Sequence, residues 1–170
     1  MQGTRRFVYP QELTADVIAQ IRHLKARMER ERIPRGTDPR RHLKLGPGGL
    51  SDVEFSAQIL LLQYGHQVGA LRVVGTLSAL AAARDEELLS EVDERQLIDA
   101  YRWLMRLRNK LFFLSGRPTD TLPPSPEDRE ALGIAMGYRE QPRQELEEAY
   151  LRITRRARRS AESLIYGGKH

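Results

Sequence analysis

Cysteine is absent from this chain of 170 residues, which excludes disulfides and thiolate metal sites and fits a reducing compartment. Aromatic residues make up only 6%, too few for the stacking platforms on which proteins carry single-stranded nucleic acid. No apolar run approaches about 18 residues, the length that would begin to suggest a membrane span. The first residues are polar and basic, unlike a secretory signal. Neither repeats nor low-complexity tracts occur. These absences point to a cytoplasmic globular protein with no membrane partner. What is present agrees: 40% hydrophobic and 30% charged residues are ordinary for a helical domain. A net charge of +5 and a pI near 9.8 permit acidic partners without requiring nucleic acid.

The hydrophobic pattern is helical from end to end. Residues 1–13 read as an N-terminal arm, in which Phe7-Val8-Tyr9 is a β-rich run with nothing to pair with, the remnant of a preceding domain. A bundle domain over 14–168 follows. Its first helix begins near Thr14, with Val17, Ile21, Leu24 and Met28 recurring as one apolar face. A basic loop over 34–44 sets Arg35, Arg40, Arg41 and Lys44 against Asp38, either a solvated loop or an electrostatic rim. Further helices are expected over 51–65, over 73–83 with a cap at Thr76 or Ser78, and over 93–115. In the last of these Leu97, Tyr101, Leu104 and Leu111 form a stripe that Arg108 interrupts, read as a snorkelling side chain. Ser125 then caps a helix with proline at its first position that stops at Gly137. The final helix, 142–166, buries Leu146, Tyr150, Ile153, Ala157 and Leu164. It points Arg152, Arg155, Arg156, Arg158 and Arg159 outward, a solvated face or a dock for an acidic partner. The fold class is an all-α bundle of five or six helices.

One stretch organises the rest: His42-Leu-Lys-Leu-Gly-Pro-Gly-Gly-Leu-Ser-Asp-Val-Glu-Phe55. Gly46, Gly48 and Gly49 with Pro47 make a tight turn. Ser51 and Glu54 stand at capping-box spacing before an apolar run. A lysine, open amides and a helix start within about ten residues suit an anion such as phosphate. A plain structural turn is the other reading. Walker-loop order is absent, since Lys44 precedes the glycines.

Reaction chemistry is otherwise hard to find. The histidines His23, His42, His66 and His170 show no paired ligand spacing, and no nucleophile motif occurs. Asp52 and Glu54 would serve as a metal pair on a strand. On a helix they stand about 200° apart and cannot grip one ion. No catalytic residue and no metal ligand is therefore assigned, Glu54 being explained by the cap and Asp52 by the helix dipole.

The motif Lys44-x-Gly46-Pro47-Gly48-Gly49-Leu50-x-Asp52-x-Glu54-Phe55 resembles the signature of the helical domain that follows the nucleotidyltransferase domain in glutamine synthetase adenylyltransferases, with a close relative in the uridylyltransferases of the PII signalling protein. Ala70-Leu71-Arg72, Thr76-Leu77, Ala100-Tyr101, Leu104, Arg106, Arg108-Asn109, Gly116-Arg117-Pro118-Thr119-Asp120-Thr121-Leu122-Pro123 and Met136-Gly137-Tyr138 are of the same type. The Gly-x-Pro-Thr-Asp-x-Leu-Pro block and the arginine-rich last helix are most similar to the carboxy-terminal, adenylylating half of actinobacterial members.

The resemblance implies that the reaction centre, a Gly-Ser motif with a strand-borne Asp-x-Asp, belongs to a preceding domain. Neither motif occurs in this sequence, so the chain is expected to be a fragment inactive alone. The intact enzyme would transfer AMP from ATP, with magnesium, to a tyrosine of glutamine synthetase; the fragment alone would hold neither ATP nor magnesium. Lys44, Gly46, Gly48, Gly49, Asp52 and Glu54 would lie near nucleotide phosphate or at the domain junction. Arg152, Arg155, Arg156 and Arg159 would dock a partner, glutamine synthetase or PII. Two alternatives remain open: a free-standing basic module binding an acidic protein or nucleic acid, and a small complete enzyme using Asp52 and Glu54 on a metal.

Overall fold

The computed structural model describes residues 15–31, 33, 36 and 38–166, and serine caps, proline starts and glycine stops divide these described residues into six α-helices. These are α1 (Ala15–Glu31), α2 (Leu50–Tyr64), α3 (Thr76–Asp85), α4 (Glu91–Ser115), α5 (Pro126–Met136) and α6 (Pro142–Tyr166), with single 3₁₀ turns at Pro39–Arg41 and Gly69–Leu71. Among the described residues the only β pairing is one antiparallel bridge, His42 to Thr121. The all-α expectation holds. None of these helices is long and apolar enough to cross a membrane. The arm over 1–13, the start at Thr14, Arg35 in the basic loop and the terminal His170 lie outside the described residues.

Local signals place most boundaries. Ser125 Oγ accepts from Asp128 N at 3.2 Å, Pro126 opens α5, and Gly137 ends it at φ +102°, a left-handed conformation that favours glycine. Ser90 does the same for α4, accepting from Asp93 N at 3.1 Å, with Glu91, Asp93 and Glu94 in the first turn. That helix therefore begins at Glu91, not Asp93, because Asp93 is the residue the cap reaches. Helix α3 corrects the expected start at Val73 and cap at Thr76 or Ser78. Gly75 holds the cap position at φ +99° without a side-chain bond, so Val73 precedes the helix.

Two leucine-rich clusters fill the interior. One joins α2, α3, the first half of α4 and the second half of α6 through Val53, Leu60, Leu80, Leu97, Ala157 and Ile165. The other joins the second half of α4 to α5 and the first half of α6 through Leu104, Leu107, Leu132, Met136, Leu146 and Tyr150. Leu43 and Leu50, either side of the glycine turn, belong to this second cluster. Helices α4 and α6 thus run through both halves, and the turn is anchored on the second.

Arg108 does not merely snorkel. Its Nε stands 2.6 Å from Asp120 Oδ1, tying α4 to the loop before α5. Helix α1 departs further from its sequence pattern. Val17 and Leu24 are 37% and 51% exposed, Ile21 is half-buried, and among the described side chains of α1, which do not include Met28, the most completely buried is Lys25, at 1%.

Candidate functional site

The glycine turn is built on backbone. His42 is buried, and its Nδ1 accepts from Leu45 N at 3.1 Å and from Lys44 N at 3.3 Å. Gly46 N donates to His42 O at 2.8 Å, and Gly49 N to Gly46 O at 2.9 Å. Leu50 N and Ser51 N then return to Leu43 O and Lys44 O at 3.0 and 2.9 Å. Across the loop, Leu43 N donates to Asp120 O and Leu122 N to Arg41 O, at 2.7 and 2.9 Å. With both Nδ1 contacts accepting, the imidazole is held neutral, and its pKa is lowered chiefly by burial; the Asp120 charge opposes that shift.

Gly48 explains why the turn needs glycine. Its φ is +72°, and a Cβ there would stand 1.9 Å from the carbonyl oxygen of Thr154 on α6. No side chain fits. The turn lies directly on the last helix, and Gly46, whose Cβ would meet Pro39 O at 2.3 Å, closes it against the 3₁₀ turn.

Asp52 sits at the centre, 1% exposed. Its Oδ2 accepts from Gly48 N at 2.7 Å and from Arg158 Nη1 of α6 at 3.1 Å, and its Oδ1 takes the Lys25 ammonium of α1. Lys25 also lies over the Phe55 ring, 5.8 Å from its centroid. Arg158 is held from its other side by Glu162 Oε1 at 2.7 Å. A buried carboxylate is tolerable only when its oxygens are satisfied. Here two cations and an amide do that, clasping α1, α2, the glycine turn and α6 together.

Several expectations change accordingly. The capping box is not formed: Gly49 is the cap, Ser51 lies inside α2, and Asp52 rather than Glu54 reaches back to the turn. Glu54 is half-buried, with no ion pair among the described residues. The amides of Gly46, Gly48 and Gly49 are spent on internal acceptors, so the turn presents no open amide cradle to an anion. Of the expected phosphate ligands, Lys44, half-buried, keeps a cationic head that pairs with no acid among the described residues. Asp52 and Glu54 do not converge. Among the described residues no group of three or more His, Asp or Glu side chains is arranged to hold a metal.

Arg152, Arg155, Arg156 and Arg159 are exposed along α6 and make no ion pair among the described residues. Arg158, expected beside them, turns inward instead. Lys25 and Arg158 were the functional side chains the pattern missed. The available signals were a lysine on the edge of an apolar stripe and an arginine four residues beyond the buried Thr154.

Fold and site together define an all-α bundle whose glycine turn is locked by a buried ionic clasp. Residues 16–165 match the family model described as GlnD PII-uridylyltransferase, and the chain belongs to that family. It is also similar to proteins named bifunctional glutamine synthetase adenylyltransferase/adenylyl-removing enzyme. Identity is 44% over 170 residues with that of Streptomyces coelicolor, covering 95% of this chain and 17% of the relative. It is 45% over 159 residues with that of Cutibacterium acnes, covering 93% and 16%. With that of Mycolicibacterium smegmatis it is 42% over 161 residues, covering 94% and 16%. The chain thus spans only about a sixth of these relatives.

Proposed function

We propose that this chain is the helical accessory module of a glutamine synthetase adenylyltransferase, following a nucleotidyltransferase domain in one polypeptide. The observation that carries the reading is the similarity of nearly the whole chain to actinobacterial enzymes of that name. In this reading the preceding domain holds ATP and magnesium and moves AMP to a tyrosine of glutamine synthetase in the cytoplasm. This module belongs to the carboxy-terminal, adenylylating half and supplies no reacting carboxylate. Asp52 is committed to Lys25, Arg158 and the Gly48 amide, which supports a positioning role for it at the domain junction. Lys44 is then the one residue of the turn left to meet nucleotide phosphate. The exposed Arg152, Arg155, Arg156 and Arg159 receive an acidic surface of glutamine synthetase or PII.

The test is Lys44→Ala in the intact enzyme. A contact with the triphosphate predicts a raised KM for ATP; unchanged adenylylation and ATP dependence would remove Lys44 from the cleft and leave the turn a junction only. The same arginine stripe favours a second reading, a basic module binding nucleic acid. It predicts salt-sensitive DNA binding by the chain alone.

A further inference from the structure

A cavity of about 490 Å³ lies between the last turns of α4, the segment 117–124 and the first turns of α5. Gly116 ends α4, and the segment that follows carries Pro118, Pro123 and Pro124, which have no N–H with which to extend a helix into the gap. The rim is tied down on both sides. Arg129, which is buried, donates through Nη1 to the carbonyls of Pro123 and Pro124 at 2.8 and 2.6 Å. Its Nε meets Glu147 of α6 at 2.6 Å. Ser115 Oγ donates to the Arg117 carbonyl at 2.8 Å, and Leu122 N to Arg41 O at 2.9 Å. The cavity is thus already shaped, which lowers the ordering cost of filling it. Leu111 and Leu122, 3% and 5% exposed, line it together with Ala131 and Leu114, the last 52% exposed. Two charged side chains line it as well, Arg117 from the loop and Asp128 from α5. Both are exposed, and neither makes an ion pair among the described residues.

We propose that this cavity binds a small zwitterion with an apolar body, of the class of the aliphatic and aromatic α-amino acids. Arg117 takes the carboxylate, which its forked guanidinium suits. Asp128 takes the ammonium group. The apolar body lies on Leu111, Leu114, Leu122 and Ala131, removing their surface and its own from water. The two charges also select against other ligands. An apolar anion would leave Asp128 facing it unpaired, an apolar amine would do the same to Arg117, and an uncharged body would desolvate both without a partner. The volume is in the range of pockets that enclose small ligands, and an apolar lining with a few placed polar groups is their usual make-up. This inference does not depend on the accessory-module reading.

The probes are leucine and phenylalanine, titrated into the full 170-residue chain and followed through the methyl NMR signals of Leu111, Leu122 and Ala131. At least one should bind saturably, with a Kd of about 1 mM or tighter. Isocaproate and isoamylamine keep the body of leucine with one charge each, as hydrocinnamate and phenethylamine do for phenylalanine. Each should bind about tenfold or more weakly than its parent amino acid. Arg117→Gln should reduce the amino acid to the affinity of its amine, and Asp128→Asn to that of its carboxylate. Both positions are exposed, so both variants should keep the parent's methyl spectrum, and Arg156→Gln on α6 should bind as the parent does. Absence of any saturable shift up to about 20 mM of either amino acid overturns the proposal. Equal binding of an amino acid and its singly charged analogues also overturns it, leaving an unselective apolar hollow. So does full affinity in either charge variant.

Discussion

Helices α1 and α6 have the same kind of sequence pattern and opposite fates. In α6 the predicted stripe faces inward: Leu146, Tyr150 and Ala157 are at most 4% exposed, Ile153 and Leu164 are half-buried, and the expected outward arginines other than Arg158 lie in solvent. In α1 the predicted stripe stays partly outside and a lysine goes in. Helix α6 packs against α2, α4 and α5, so aliphatic contact on several sides sets its rotation. Helix α1 has a buried carboxylate waiting beneath it. Leaving Val17 and Leu24 partly exposed forfeits a fraction of about 1.5–3 kcal/mol apiece. Breaking a buried ion pair costs about 3–5 kcal/mol, so the pair decides. Periodicity tells which residues share a face, and competing interactions decide where that face points.

The comparison can be broken at the clasp first. Asp52→Ala should cost about 3–5 kcal/mol of stability in urea unfolding, since Lys25 would be left buried without its carboxylate. It should also speed exchange of the Gly48 amide. A variant that unfolds at the parent's urea concentration would mean that the pair does not hold α1. Next come the two stripes themselves. Leu146→Ala, at a fully buried position in α6, should lose about 3 kcal/mol. Leu24→Ala in α1 should change the stability of the 170-residue chain by no more than about 0.5 kcal/mol. Similar losses at both sites would erase the contrast.

The smallest effect is pH dependence at His42. Its folded pKa lies below the ordinary value of 6.5, so the folded state binds its proton less readily than the unfolded chain. The stability it contributes is complete above pH 6.5 and is lost as pH falls toward the lowered folded value. His42→Asn, which keeps an acceptor but does not titrate there, should flatten that part of the stability profile. A profile unchanged by the substitution would assign the acid sensitivity elsewhere.

Much of the fold was legible because its signals act over one turn of chain. Ser125 with Pro126 opens α5, Gly137 closes it, and the spacing of Leu146, Tyr150 and Ala157 names the inner face of α6 without reference to anything distant. The glycine turn was legible as a turn for the same reason. Its role as an open anion cradle was not settled by sequence, because whether an amide is free depends on acceptors the chain brings back to it. Asp52 shows the limit most clearly. Local spacing offered it the helix dipole, yet the folded chain brings it Lys25 from 27 residues earlier and Arg158 from 106 residues later. Sequence alone determined where the helices lie and which residues share their faces. Tertiary structure decided the rotation of α1, the inward turn of Arg158 and the closure of the glycine amides, because charge pairing in a buried site is a property of the space several segments enclose.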